Sequence, residues 1–212
     1  MSHVVVCAVC LLAATAQEAG GSRQAARITP VVFPAHADDP AGQNLALGIA
    51  DLAGNALFAT RRTNHLHLKQ VFSMARSHHL TSAQLATRGP AERGARALGA
   101  TCGAFGTLQR DGDGWRLEVT TFDLASGKTE NRTVELPGAT SAAVEQGGRA
   151  VAALLAAQQG LELNRLAKLH PDTESDQAME SYLACYRIIV NQSMGLRKAH
   201  VIRPALLQRA RR

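Results

Sequence analysis

Gly99-Ala-Thr-Cys-Gly-Ala-Phe-Gly-Thr-Leu-Gln-Arg110, then Asp111-Gly-Asp-Gly114, then Trp115-Arg-Leu-Glu-Val-Thr-Thr-Phe-Asp-Leu124, then Ala125-Ser-Gly-Lys128 and Thr129-Glu-Asn-Arg-Thr-Val-Glu-Leu136 form one continuous stretch. Within it Trp115, Leu117 and Val119 alternate with Arg116, Glu118 and Thr120. A period of two marks a strand with one buried face. The Asp111–Gly114 cluster is rich in residues that tolerate positive φ, so it reads as a hairpin turn. Ser126-Gly127 reads as a second turn, and Thr129–Leu136 as a returning strand. Three antiparallel strands in succession make a meander.

Working outward on the amino-terminal side, Ala26–Phe33 reads as a first strand, placed at an edge or bulge by Pro30. Pro34–Gly42 is a loop. Gln43–Thr60 is an amphipathic helix, with Leu45, Ile49, Leu52, Ala53 and Ala56 at helical spacing. Asn64–Phe72 reads as a second strand, because Leu66 and Leu68 alternate with His65, His67 and Lys69. Met74–Leu80 is a loop, and Thr81 or Ser82 caps a short helical turn. Pro90 at a first helical position and Gly99 just past the end frame a helix over Ala91–Leu98. On the carboxyl side, Thr140 or Ser141 caps a helix reaching about Gln159. The fold class expected is α/β: a two-layer sandwich with a mixed sheet of about five strands, a C-terminal three-strand meander, and helices packed on it.

The ends read differently. Residues 1–16 hold an uncharged run from Val4 to Ala14, closed by Ala14-Thr15-Ala16. This is the pattern of a secretory signal cut after Ala16, with a buried strand or a misplaced start codon as alternatives. The run is too short to span a bilayer as a mature helix, so no transmembrane span is expected in the mature chain. Residues 17–25 are a polar linker, 26–160 the α/β domain, and 161–173 a second linker. Residues 174–212 form a helical segment with a basic tail. The stripe Met179, Tyr182, Leu183, Tyr186 marks a helix over Glu174–Asn191, and Leu196–Arg203 reads as another.

Charge narrows the function. The formal net charge is +6. Arg197, Lys198, Arg203, Arg209, Arg211 and Arg212 account for all of it, since the other 17 basic residues equal the 17 acidic ones. A balanced body has no general phosphate-binding face, so no specific nucleic-acid partner is expected; any such binding belongs to Arg197–Arg212.

The candidates for chemistry are few. His65 and His67 would share one face of a strand, a spacing that suits zinc, with His78 and His79 close by. No Asp, Glu or Cys lies between residues 52 and 91 to complete a ligand set, so polar residues facing water are the plainer reading. Gly99, Gly103 and Gly106 open no helix and are not a dinucleotide fingerprint. Asp111 and Asp113 belong to a turn rather than to calcium. Cys102 and Cys185 read as two separately buried thiols, with a disulfide as the alternative in an oxidising compartment. No catalytic, cofactor-binding or metal residue is assigned, no cofactor is expected, and the chain does not read as an enzyme.

A family resemblance rests on particular residues. Val31-Val-Phe-Pro34 ends a strand, Leu47-Gly-Ile-Ala-Asp-Leu52 sits in a helix, and Leu98-Gly-Ala100 ends another. Gly103-Ala-Phe-Gly-Thr-Leu108 follows, and then Trp115–Lys128 with its Asp123, Ser126, Gly127 turn. Over roughly residues 26–160 this resembles the TolB amino-terminal-domain-like group, which includes FlgO-like domains. The segment after it resembles the start of a tetratricopeptide unit, as in members where a helical array follows, truncated or absent here. The resemblance implies a non-enzymatic, exported domain of the bacterial envelope, periplasmic or otherwise exported, that binds a protein or peptide partner or senses a ligand. The alternative it leaves open is an intracellular regulatory module of a larger cyclase- or kinase-associated signalling protein. It implies no catalytic residues.

Overall fold

The computed structural model describes residues 27–64, 66–163 and 175–193. The expected signal at residues 1–16, most of the second linker and the basic tail lie outside the described residues.

The chain enters through a short strand, β1 (Pro30–Val32), and continues into helix α1 (Pro40–Phe58). The helix starts three residues earlier than its apolar spacing suggests. Asp39 accepts hydrogen bonds from the Ala41 and Gly42 N–H groups, and Pro40 occupies the first turn where no N–H partner is needed. Three helices follow: α2 (Leu68–Ser77), the four-residue α3 (Ser82–Leu85) and α4 (Arg88–Ala97). Strands β2 (Cys102–Asp111), β3 (Gly114–Asp123) and β4 (Thr129–Leu136) lead to α5 (Thr140–Gln158) and α6 (Asp176–Ser193).

The sheet has four strands in the order β1-β2-β3-β4, so the expectation of about five is corrected. The strand expected at Asn64–Phe72 and the loop at Met74–Leu80 are replaced by α2. Leu68, Val71 and Ala75 recur at helical spacing and are all buried, which outweighs a two-residue alternation of Leu66 and Leu68. The Gln70 side chain accepts the His67 N–H at 2.9 Å and fixes the start of α2. Strand β1 runs parallel to β2, while β2–β3 and β3–β4 are antiparallel.

Burial follows the alternation along β3. Trp115, Leu117 and Val119 are buried and Arg116 and Glu118 exposed. Those inward residues pack with Leu45, Leu52 and Val151 of α1 and α5. At the β1–β2 end the opposite face is also covered. Val31, Phe33, Phe105 and Phe122 pack there against α2 and α4, with the Phe105 and Phe122 ring centroids 6.0 Å apart. The two-layer sandwich expected from the sequence therefore gains a partial third layer over β1 and β2.

Helices α1 and α5 approach closely because glycines seat the partner's side chains. A Cβ on Gly147 would lie 2.8 Å from Ile49, and one on Gly148 2.7 Å from Leu52. On α1, a Cβ on Gly48 would meet Leu183 of α6 and Val144 of α5, each at 2.9 Å.

Helix α6, read from the sequence as part of a separate segment, shares this core. Met179 and Leu183 are each 2% exposed and belong to the main cluster. It also supplies a cap. The residue before α5 is Ala139, which has no capping side chain, and Thr140 and Ser141 lie inside the helix rather than capping it. Asp176 of α6 takes that role, accepting from the Ser141 N–H at 2.9 Å and its hydroxyl at 2.6 Å. These bonds hold the Asp176 carboxyl below its ordinary range.

Candidate functional site

The described residues present two surfaces, a cleft beyond the end of β1 and the outer edge of β4.

Past β1 the chain keeps pairing with β2. The Phe33 N–H donates to the Ala104 carbonyl and the His36 N–H to the Gly106 carbonyl, while the Leu108 N–H donates to the His36 carbonyl. This pins Pro34–Ala37 as one wall. The opposite wall is the end of α2 with α3, and α1 closes the base. The cleft between them is about 530 Å³, within the size range of ligand sites. Leu47, Phe72, Ala75, Leu80 and Leu85 give it an apolar lining, and Arg76, His79 and Arg187 stand at its rim.

His79 is held there by an unusual cap. Helices α4 and α5 both end with a glycine in the left-handed region, Gly99 at φ +68° and Gly160 at φ +61°. In each, the next N–H reaches back to the carbonyl five residues earlier: Ala100 to Ala95 and Leu161 to Ala156. Helix α2 closes in the same way, with Leu80 N–H on the Ala75 carbonyl at 2.8 Å, but the left-handed residue is His79, at φ +52°. A side chain in that conformation costs about 1 kcal/mol or more relative to glycine. His79→Gly is therefore expected to stabilise the protein by about 1 kcal/mol, measured by urea denaturation. A loss of stability would show that the imidazole makes a favourable contact outweighing the backbone strain.

Ser82, His36 and Asp38 stand in a row beside the cleft. The Ser82 hydroxyl is 3.2 Å from His36 Nδ1, and His36 Nε2 is 3.3 Å from an Asp38 oxygen. The order is that of a hydrolytic relay, but such a relay needs its carboxylate buried against the imidazole. The Asp38 side chain is fully exposed, and water screens it. The contact ties α3 to the segment after β1.

The remaining sequence candidates are dispersed. His67 precedes α2, His78 follows it, and His65 lies outside the described residues. Cys102 and Cys185 are both free and buried, one in β2 and one on α6. Burial pushes the Cys102 thiol up to about 11, so it is a poor nucleophile. Gly99 caps α4, Gly103 and Gly106 sit inside β2, and Asp111 and Asp113 flank the hairpin turn at Gly112, where φ is +55°. Among the described residues no three His, Cys, Asp or Glu side chains gather where a metal could bind. Among the described residues, too, no helix is long and apolar enough to cross a membrane.

The second surface is the edge of the sheet. Its hydrogen-bond phase follows from one contact, the Asp123 N–H donating to the Lys128 carbonyl at 2.9 Å. Antiparallel pairing alternates, so Glu130, Arg132, Val134 and Leu136 bond inward to β3. Thr129, Asn131, Thr133 and Glu135 turn their N–H and C=O groups outward. A side chain of α5 closes one end, where Gln146 donates to the outward Glu135 carbonyl, while Gln158 meets the Lys128 carbonyl that already bonds inward to Asp123. The open stretch runs from Thr129 to Thr133. Of the cleft residues the sequence singles out only His79, as a possible zinc ligand, and Thr81 or Ser82, as a cap; the others come from four separated segments and carry no motif.

No family model and no curated protein matches this chain. Among solved structures it is similar to the LpoB C-terminal domain from Salmonella enterica, at 13% identity and a TM-score of 0.37, over 52% of this chain and 83% of that one. A likeness of that size carries neither function nor residue roles.

Proposed function

We propose that this protein is a non-catalytic, exported interaction domain of the bacterial envelope, and that a protein partner lays an extended segment along the outer edge of β4. The observation that carries the reading is the row of outward backbone groups on Thr129, Asn131 and Thr133, regular and without a bulge. An added strand satisfies such groups while reading side chains on alternate positions. Edges are commonly guarded by charged side chains, a bulge or a proline; here neither bulge nor proline interrupts Thr129–Thr133, and Glu130 and Arg132 pair with each other at 3.0 Å. Export is supported by the uncharged run from Val4 to Ala14 with its small-residue site. The TolB-like pattern of residues supports the same setting.

The test uses the outward N–H of Thr133. A photo-crosslinking side chain at Arg132, whose own backbone bonds inward, is expected to capture one protein in the native host. Thr133→Pro removes an edge donor without touching the β3–β4 ladder. It is expected to lower that adduct about tenfold, the effect of losing roughly 1.4 kcal/mol of strand pairing. An adduct unchanged by the proline, with the fold intact by circular dichroism, would overturn the reading.

A further inference from the structure

We propose that the cleft beyond β1 is a binding site for a single-chain fatty carboxylate, its hydrocarbon tail along Leu47, Phe72 and Leu85 and its anionic head between Arg76 and Arg187. Three observations point to this chemistry.

The first is the sign of the rim. Arg76, His79 and Arg187 line the mouth and no carboxylate does. Among the described residues neither arginine is in an ion pair. Arg187 rests on neutral acceptors, the Pro40 carbonyl at 3.4 Å and the Gln43 side-chain oxygen at 3.3 Å. Asp38 and Asp39 are close in sequence, but neither lines the cleft: Asp38 is turned to His36, and Asp39 accepts the first N–H groups of α1 through one of its oxygens. The basic tail of this chain, Arg197–Arg212, has the same sign as the rim and does not complement it.

The second is the backbone of the walls. Helices α1, α2 and α3 bond internally, and the wall segment bonds to β2 through His36 and to Gln43 through the Ala37 carbonyl. Among the described residues the wall segment leaves the Ala35 N–H and C=O and the Ala37 N–H open, so a peptide could pair along that one short segment. Elsewhere it would meet helix side chains, where its own N–H and C=O groups are costly to bury unpaired. An acyl chain has none to satisfy.

The third is His79. Helices α4 and α5 solve the same cap with glycine; of the two side chains held in the left-handed region, Arg61 after α1 at φ +58° and His79 after α2, His79 is the one that lines the cleft.

Calorimetric titration of the full chain with dodecanoate tests the proposal. Saturable 1:1 binding is expected, weakened more than tenfold when the probe is decanoate, since each methylene contributes about fourfold. Dodecyltrimethylammonium, with the same tail and the opposite charge, is expected to bind at least tenfold more weakly than dodecanoate. Arg76→Gln with Arg187→Gln is expected to remove that preference while leaving the melting temperature within a few degrees. If that pair fails to fold, Ser82→Glu, which puts a carboxylate at an exposed position of the lining, is expected to weaken dodecanoate binding at least tenfold. Equal affinity for the two charges, an unaltered preference in the glutamine variant, or tighter binding of an acidic peptide than of dodecanoate would each overturn the proposal. Thr133→Pro is expected to bind dodecanoate as the parent does, so this site and the β4 edge fail or stand separately.

Discussion

Trp115→Ala is expected to remove about 3–5 kcal/mol of stability, read by urea denaturation against the parent chain. Trp115 is 5% exposed and opens the strand that carries the main core. Its ring fills the space left by a glycine: a Cβ on Gly42 would lie 3.0 Å from it. On the other side the Arg110 guanidinium lies 4.5 Å from the ring centroid, a cation–π contact adding about 0.5–1 kcal/mol at a partly exposed site. Alanine leaves a cavity that neither the sheet nor the first turn of α1 can close, since Asp39 pins that turn. In a protein of this size the loss corresponds to a melting temperature lower by roughly 10 °C. A loss below about 1 kcal/mol would show that the indole is not a core group.

Gly106→Ala is expected to cost about 3 kcal/mol or more, by a different route. A Cβ there would collide with the Glu118 carbonyl oxygen and lie 3.1 Å from the Val119 Cα. Both are backbone atoms of β3, so no rotamer change relieves the clash and the β2–β3 ladder must open. The damage spreads, because the Gly106 carbonyl accepts the His36 N–H that holds the cleft wall. Gly112→Ala makes the contrast. Space is open around Gly112 and only its φ of +55° resists a side chain, at about 1 kcal/mol. Thermal melts of the two variants should differ by several degrees, and equal melts would contradict the clash.

These two glycines also show what was legible in the sequence. Asp111–Gly114 announces a turn because its residues are chosen for local conformation, and the alternation from Trp115 to Val119 announces a strand because burial there has a period of two. Gly106 announces nothing, since its reason is a carbonyl on another strand. Helix α2 is obscured in the sequence: Leu68, Val71 and Ala75 stand at helical spacing, but Leu66 and Leu68 among histidines suggest an alternation only two residues long. The cap on α5 could not be read locally either, because Asp176 lies far along the chain from Ser141. The cleft suffers from the same limit to a greater degree. Pro34, Leu47, Phe72 and Arg187 become neighbours only through β1 pairing with β2 and α6 packing on α1, and no spacing rule spans such distances. The β4 edge is intermediate: the strand is visible, but the outward set of backbone groups depends on its pairing with β3.

The parallel pairing of β1 has a consequence in time. Strands β2, β3 and β4 close on one another through turns of a few residues, the kind of event that takes microseconds. Strand β1 is three residues long, and joining it to β2 brings together Thr29 and Thr101, 72 positions apart, with α1 to α4 all inside the loop. Closing so long a loop is entropically costly. The amino-terminal strand is thus expected to dock late in assembly, and once docked it is held by Val31, Val32 and Phe33, all buried in the two core clusters. Because Pro34–Ala37 is the continuation of that strand, the cleft exists only while β1 is docked. Any molecule that occupies the cleft acts as a latch on the late step of folding, and it stabilises the protein in proportion to its own occupancy.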